Sequence, residues 1–375
     1  MRRPYLDWLR GLGVLIMIEG HTLDAWTRLA DRERDGYQFA ILVAGIGAPI
    51  FLFLAGVAIA LAAASRLRKG LTVPEVYRAA LRRGAWIVAL AFLFRLQAWV
   101  VSGGDFPQSL LKVDILNVMG LSMMAAALIW RVGRGSRSRA ALFAGATAAI
   151  AMITPLVRSA GWLAALPDPV EWYVRPAPGS TTFALFPWAG FLTAGAALGT
   201  WLAQEADERR VNAAFLALGA AMAAAGYGAS FLPALYEGAT FWGSSPTFFF
   251  IRLGVVIALV PTAFALTRIW PGAALQAFGR ASLFVYWIHV EMAYGVLSTP
   301  LHRGLSFETA LVALAAFTVF LFGLVRLKAH LSARHERGPL GGGPSRMARG
   351  QSTEPGKSGR SPIGQLTRDF REKSM

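Results

Sequence analysis

LDWLRGLGVLIMIEGH, residues 6–21, with Asp24 just beyond it, is the stretch on which the reading of this chain turns. It is an apolar run with an acid and a base at its start and a histidine at its end. Asp7 and Arg10 lie one helical turn apart and share a face. Arg10 and His21 are separated by three turns, with about 20° of drift and about 16 Å of rise. Arg10, Val14, Met17 and His21 therefore form one stripe, which Asp24 continues. An apolar helix with ionisable groups at both ends of one stripe is more than an anchor.

The rest of the composition places that helix in a membrane. Of the 375 residues, 55% are hydrophobic and 15% charged, against about 25% charged in a soluble domain. The formal charge of +16 raises the question of nucleic acid. The basic residues, however, sit between apolar runs and near the C-terminus, which is the pattern of a membrane protein and not of a nucleic-acid-binding face. The absence of cysteine excludes disulfides, thiolate metal sites and cysteine nucleophiles. No small-residue cleavage site follows the first apolar run, and Glu19, His21 and Asp24 stand where one would be needed, so a retained first span is expected.

Crossing the hydrocarbon takes about 20 apolar residues. Ten segments are candidates: 7–26, 39–64, 81–101, 112–130, 140–157, 182–203, 212–233, 247–268, 275–297 and 307–327. With the N-terminus in the cytoplasm and strict alternation, Arg28, Arg32, Arg34, Lys112, Arg158, Arg175 and Arg303 fall outside. Arg10, Arg95, Arg252 and Arg280 fall within spans, and the remainder of the 37 basic residues fall inside. This asymmetry predicts an all-α, polytopic helical bundle of about ten transmembrane helices in the cytoplasmic (inner) membrane, with both termini cytoplasmic. Residues 1–335 are expected to form the membrane domain. Residues 336–375, rich in Gly, Ser, Pro and charge, are expected to form a disordered basic cytoplasmic tail.

Polar groups inside spans are costly and mark function. By this topology His21, Asp24, Arg95, Asp114, Asn117, Arg252, His289 and Glu291 converge on the extracytoplasmic half, as a pocket open to the outside requires. Asp7, Arg10 and Arg280 lie near the cytoplasmic face, close to Arg82 and Arg83. Arginines at that depth suit a phosphate-rich cytosolic ligand, which guanidinium groups pair with bidentately. Each residue also has a purely structural reading. His21 and Asp24 fit a solvated helix end, Asp7–Arg10 a snorkelling ion pair, Arg95–Asp114 an interhelical salt bridge, and His289 a hydrogen-bonded core histidine. No histidine or carboxylate pair has metal-ligand spacing, and no phosphate-loop or nucleophile-elbow pattern appears.

The first-helix motif, followed by APIFLFLAGVAIALA (residues 48–62), resembles the start of bacterial membrane proteins grouped with heparan-alpha-glucosaminide N-acetyltransferase. GRASLFVYWIH (residues 279–289) resembles a late helix of the wider transmembrane acyltransferase set. That set includes the acyltransferase-3 family, which shares the Asp, the Leu-Arg and the following His of the first helix. Pro49, Phe51, Phe53 and Gly56 tilt the resemblance toward the acetyltransferase branch. One departure matters. The animal enzymes carry their catalytic histidine after the first helix, whereas residues 22–40 here contain none. His21 instead stands where acyltransferase-3 proteins have theirs.

The resemblance implies an acyl-CoA-dependent acyltransferase. An acyl group, acetyl first, would move from cytosolic acyl-CoA to an extracytoplasmic sugar or glycan by O- or N-acyl transfer, with no metal. Arg10, Asp7 and Arg280 would then serve the CoA side. His21 would be the catalytic base or transient acyl carrier, and Asp24 its orienting partner. A pantetheine arm is long enough to bridge the stripe. The rival reading is a transporter or flippase-like carrier that uses the outer polar pocket without acyl chemistry.

Overall fold

A computed structural model describes residues 3–103 and 105–336. The described residues up to Ala329 form one compact unit, and the site lies in it. The tail expected beyond residue 336 falls outside the described residues. The helices are α1 (Pro4–Trp26), α2 (Asp35–Ala44), α3 (Gly47–Arg68), α4 (Val73–Ser102), α5 (Gln108–Leu111), α6 (Ile115–Val132), α7 (Ser136–Ser159), α8 (Asp168–Val174), α9 (Leu185–Leu202), α10 (Glu208–Ala229), α11 (Pro246–Ile269), α12 (Ala273–Arg280), α13 (Ser282–Tyr294) and α14 (Phe307–Glu336). Among the described residues there are only two isolated β-bridges, Thr27–Leu305 and Val113–Thr181, and no strand.

The protein is thus an all-helical, polytopic integral membrane protein. Among the described residues, eight stretches are long and apolar enough to cross a bilayer, with α2 and α3 counting together as Asp35–Arg68. Ten were expected, and the two that do not qualify by length and composition are informative. Helix α1 carries four charges: Asp7, Arg10, Glu19 and Asp24. The expected span 275–297 is not one helix, because the backbone leaves helical geometry at Ala281 (φ −101°, ψ 14°), separating α12 from α13. These two exceptions carry the first-helix stripe and His289. The expected start of the fourth span at 112 also moves. Asp114 is the N-cap of α6, its carboxylate accepting from the Leu116 amide while Asn117 closes the capping box, so the helix begins at Ile115.

Close packing in lipid relies on small residues, because apolar helices gain little by leaving apolar lipid. Two crossings show it most sharply. On α3 and α9, a Cβ on Gly56 would lie 1.9 Å from the Leu192 carbonyl oxygen, and one on Gly195 would lie 1.9 Å from that of Phe53. On α1 and α12, a Cβ on Gly11 would lie 1.9 Å from the Leu275 oxygen, and one on Gly279 would lie 1.9 Å from that of Asp7. The second crossing locks α12 against the start of α1, and the break at Ala281 then sends α13 along the far half of the same helix. The C-terminal end of α1 is strapped as well. Arg303 N donates to Ala25 O (3.0 Å), Leu305 N to Trp26 O (3.0 Å) and Arg28 N to Leu305 O (2.9 Å).

Candidate functional site

A cavity of about 1050 Å³ is walled by α1, α2, α3, α4, α6 and α13. Arg10 near the start of α1, Arg66 at the end of α3 and Arg83 early in α4 line one end. His21, Asp24, Arg95, Asp114 and Tyr294 line the other, and apolar side chains such as Met17, Phe51, Ile59 and Met119 line the stretch between. Of the stripe read from α1, Arg10, Met17, His21 and Asp24 line this one space, with Arg10 and His21 at opposite ends, whereas Val14 is fully buried against the neighbouring core.

At the end opposite Arg10, His21 meets α13. His21 Nδ1 lies 2.8 Å from Nε2 of His289, and the rings stack with an 8° interplanar angle and centroids 5.0 Å apart. His289 Nδ1 lies 2.7 Å from the Val285 carbonyl oxygen. A carbonyl only accepts, so Nδ1 of His289 carries the proton and its Nε2 is the acceptor. The hydrogen between the rings then sits on Nδ1 of His21, which leaves Nε2 of His21 with its lone pair. His289 is fully buried behind His21 and does not line the cavity. Its ring is fixed by the backbone of its own helix, so the relay sets the tautomer of His21.

Asp24, expected to orient His21, has its carboxylate on other groups. Its carboxylate accepts from the Tyr294 hydroxyl at 2.8 Å and pairs with Arg32 at 3.3 Å. Tyr294 in turn sets its ring edge against His21, with centroids 5.6 Å apart. Asp24 thus reaches the histidine through a tyrosine, because the imidazole edge it was expected to hold is taken by His289.

Arg95 and Asp114 form the interhelical salt bridge, at 2.9 Å. Asp114 also caps α6, and Asn117 behind it accepts from the Asp114 amide at 3.2 Å and donates to the Tyr173 hydroxyl at 2.9 Å. Asn117 is fully buried, lies outside the cavity and braces the wall. Outside the spans, burial raises the Tyr173 hydroxyl above its ordinary pKa, which keeps it neutral beside Asn117. Asp31, in the loop after α1, accepts from Arg28 Nε at 3.0 Å and from the Phe307 amide at 2.9 Å. The Arg28 hydrogen bond first, and the amide second, hold its pKa below the usual carboxylate range.

The other expected residues divide. Asp7 is buried and pairs with Arg10 at 3.9 Å, supporting the arginine and not lining the cavity. Arg280 is exposed and outside it: Phe278 and Gly279 pack onto α1, which turns the next residue away. Glu291 also lies outside, with Oε1 buried and without a hydrogen-bond partner. Arg252 lines a second, smaller cavity. In place of Arg280, Arg66 and Arg83 join Arg10; the sequence set Arg83 close to the expected arginine cluster but named neither as a site residue. Tyr294, on the same helix as His289, was not singled out either.

Among the described residues no group of three or more His, Cys, Asp or Glu is placed to hold a metal ion. No curated protein matches the chain. The family model described as "Heparan-alpha-glucosaminide N-acetyltransferase, catalytic" matches residues 2–233, more than half of the chain and all of α1 through α10.

Proposed function

We propose a function from the premise that this chain belongs to the heparan-alpha-glucosaminide N-acetyltransferase catalytic family. Membership and the apolar helices make it an integral membrane protein of an acetyltransferase family. The finer reading is ours. The protein takes an acetyl group from cytosolic acetyl-CoA and passes it to a hydroxyl or amine of an extracytoplasmic sugar or glycan, across the inner membrane, with both of its own ends cytoplasmic.

One observation carries this reading: the single cavity that joins the arginines Arg10, Arg66 and Arg83 to the His21–His289 pair. The arginine end suits the phosphates of CoA. The apolar middle suits a pantetheine arm, and the interval of about 16 Å between Arg10 and His21 is one that arm crosses. A histidine whose tautomer is fixed from behind presents a free Nε2 to the cavity, as a general base requires.

In the proposed step the acceptor oxygen or nitrogen attacks the thioester carbonyl while His21 Nε2 removes its proton. The C–S bond then breaks, and the proton passes from His21 to the departing thiolate, giving acetylated acceptor and free CoA thiol. His289 keeps Nδ1 of His21 hydrogen-bonded as the ring gains charge. Asp24, one residue removed through Tyr294, adds a negative charge near the imidazolium.

The test is acetyl transfer by purified protein with labelled acetyl-CoA and a panel of sugar acceptors, read as label in the acceptor and as free thiol. His21→Ala is expected to abolish both while leaving membrane insertion intact. Full activity in that variant would remove His21 from the mechanism, and uptake of sugar with no thiol release would favour a carrier.

A further inference from the structure

A second cavity, of about 220 Å³, lies beside the first, and Thr182 lines both. It holds two arginines: Arg158 from the end of α7 and Arg252 from the first turns of α11. Among the described residues neither has a carboxylate partner, and no acid lines this space. The neighbouring arginines on the same side of the protein behave differently. Arg28 pairs with Asp31 at 3.0 Å, Arg32 with Asp24 at 3.3 Å, Arg95 with Asp114 at 2.9 Å, and Arg175 with Glu171.

Both guanidinium groups are held in place by groups that leave their charge uncompensated. Arg252 stands 5.1 Å from the ring centroids of Trp188 and of Phe248 and donates to the Gly45 carbonyl, on the wall of the larger cavity. Arg158 donates to the Phe186 carbonyl at 3.2 Å, and its Nε is buried without a partner. Aromatic faces and carbonyls orient a cation without neutralising it. The amino end of the 24-residue helix α11 opens at the same place, with Ser245 on the cavity wall, and adds positive potential. Two like charges kept in one partly enclosed space are unfavourable unless an anion joins them.

We propose that this second cavity is an oxyanion-binding site, taking a carboxylate, sulfate or phosphate group between Arg158 and Arg252, with Trp188 and Phe248 packing against whatever carries it. Its shared wall with the larger cavity sets an occupant beside the outer, His21 end. The same group can arrive on a soluble acceptor or on a lipid headgroup. The site stands independently of acetyl transfer, because its readout is anion binding.

The test is a titration of the purified full chain with inorganic sulfate at constant ionic strength, read as a thermal-stability shift, for wild type and for Arg158→Gln and Arg252→Gln. The expected result is saturable stabilisation of wild type, weakened at least tenfold in each variant. No saturable response in wild type, or equal responses in all three proteins, overturns the proposal and leaves an adventitious ion only. If the glutamine variants do not purify folded, Arg158→Lys and Arg252→Lys carry the test. Lysine lacks the planar fork, so several-fold weakening at both positions is expected, and unchanged affinity at both overturns the site. In phosphatidylcholine nanodiscs, displacement of sulfate by glucuronate identifies a soluble acid as occupant. Loss of sulfate binding only when phosphatidylglycerol is present identifies a lipid headgroup. Displacement by neither, with the sulfate response still lost in the arginine variants, upholds the site as one for the sulfate or phosphate group itself.

Discussion

His21 and His289, 268 residues apart in the chain, are joined Nδ1 to Nε2 at 2.8 Å, and a 2.7 Å bond from His289 to the Val285 carbonyl fixes which nitrogen carries each proton. His289 is therefore a positioning residue in the proposed mechanism. His289→Leu leaves a buried N–H on His21 without an acceptor, a penalty of about 1–3 kcal/mol, or roughly 5- to 150-fold in rate. His289→Gln is expected to recover much of that loss, since its amide can accept from His21 and donate to Val285. The readout is kcat against pH for the two variants, with KM for acetyl-CoA unchanged; equal impairment of Leu and Gln would reduce His289 to a packing role.

Arg66 and Arg83 were not singled out as site residues by the sequence, yet they line the same end of the cavity as Arg10. Charge-assisted hydrogen bonds contribute about 1.5–3 kcal/mol each. Arg66→Gln and Arg83→Gln are accordingly expected to raise KM for acetyl-CoA by about tenfold or more while sparing kcat. With S-acetylpantetheine, which lacks the nucleotide phosphates, wild type and variants should be alike. A KM effect of the same size with both donors would mean that these arginines do not read the phosphates.

Gly279 and Gly323 make a matched pair of opposite sign. A Cβ on Gly279 would meet the Asp7 carbonyl at 1.9 Å, whereas one on Gly323 in α14 meets nothing within 4 Å. Gly279→Ala forces α1 and α12 apart and is expected to cost more than the ~1–3 kcal/mol of ordinary overpacking, with loss of activity because His289 moves with α13. Gly323→Ala is expected to stabilise by about 0.5–1 kcal/mol, the usual helix preference of alanine. Thermal unfolding in detergent distinguishes the two.

Asp31 ties the loop after α1 to the start of α14 through Arg28 and the Phe307 amide. Its pKa is held below the ordinary carboxylate value, so its contribution is present above that value and is lost as pH falls through the lowered one. Asp31→Asn is expected to lower the melting temperature at neutral pH, and the gap to wild type should close under acid conditions below the carboxylate range. A gap that persists there would assign the effect to the side-chain geometry and not to its charge.

Much of this molecule was legible in one dimension. Hydropathy decided that the chain is a polytopic helical membrane protein, because only helices and closed barrels satisfy the backbone in lipid and continuous apolar runs of about 20 residues fit the helix. The period of the α-helix placed Arg10 and His21 on one stripe, since side-chain direction along a helix is fixed by local geometry. The N-cap at Asp114 was visible only as a polar pair one turn apart, and its capping role appeared with the backbone.

What the sequence could not decide was who faces whom. Asp24 is three residues from His21 and was the natural partner on one helix. The actual partner is on α13, brought there by the Gly11–Gly279 crossing and the break at Ala281. Arg252, expected in the main pocket, lies with Arg158 in the neighbouring cavity, and Arg280, expected at the CoA side, is turned away by the packing of Phe278 and Gly279. Contacts between helices depend on crossing geometry and on which small residues let backbones meet, and neither is encoded in periodicity. The sequence by itself determined the membrane fold and the stripe on α1; the tertiary structure decided that His289 completes His21, that Arg66 and Arg83 join Arg10, and that two arginines share a separate space.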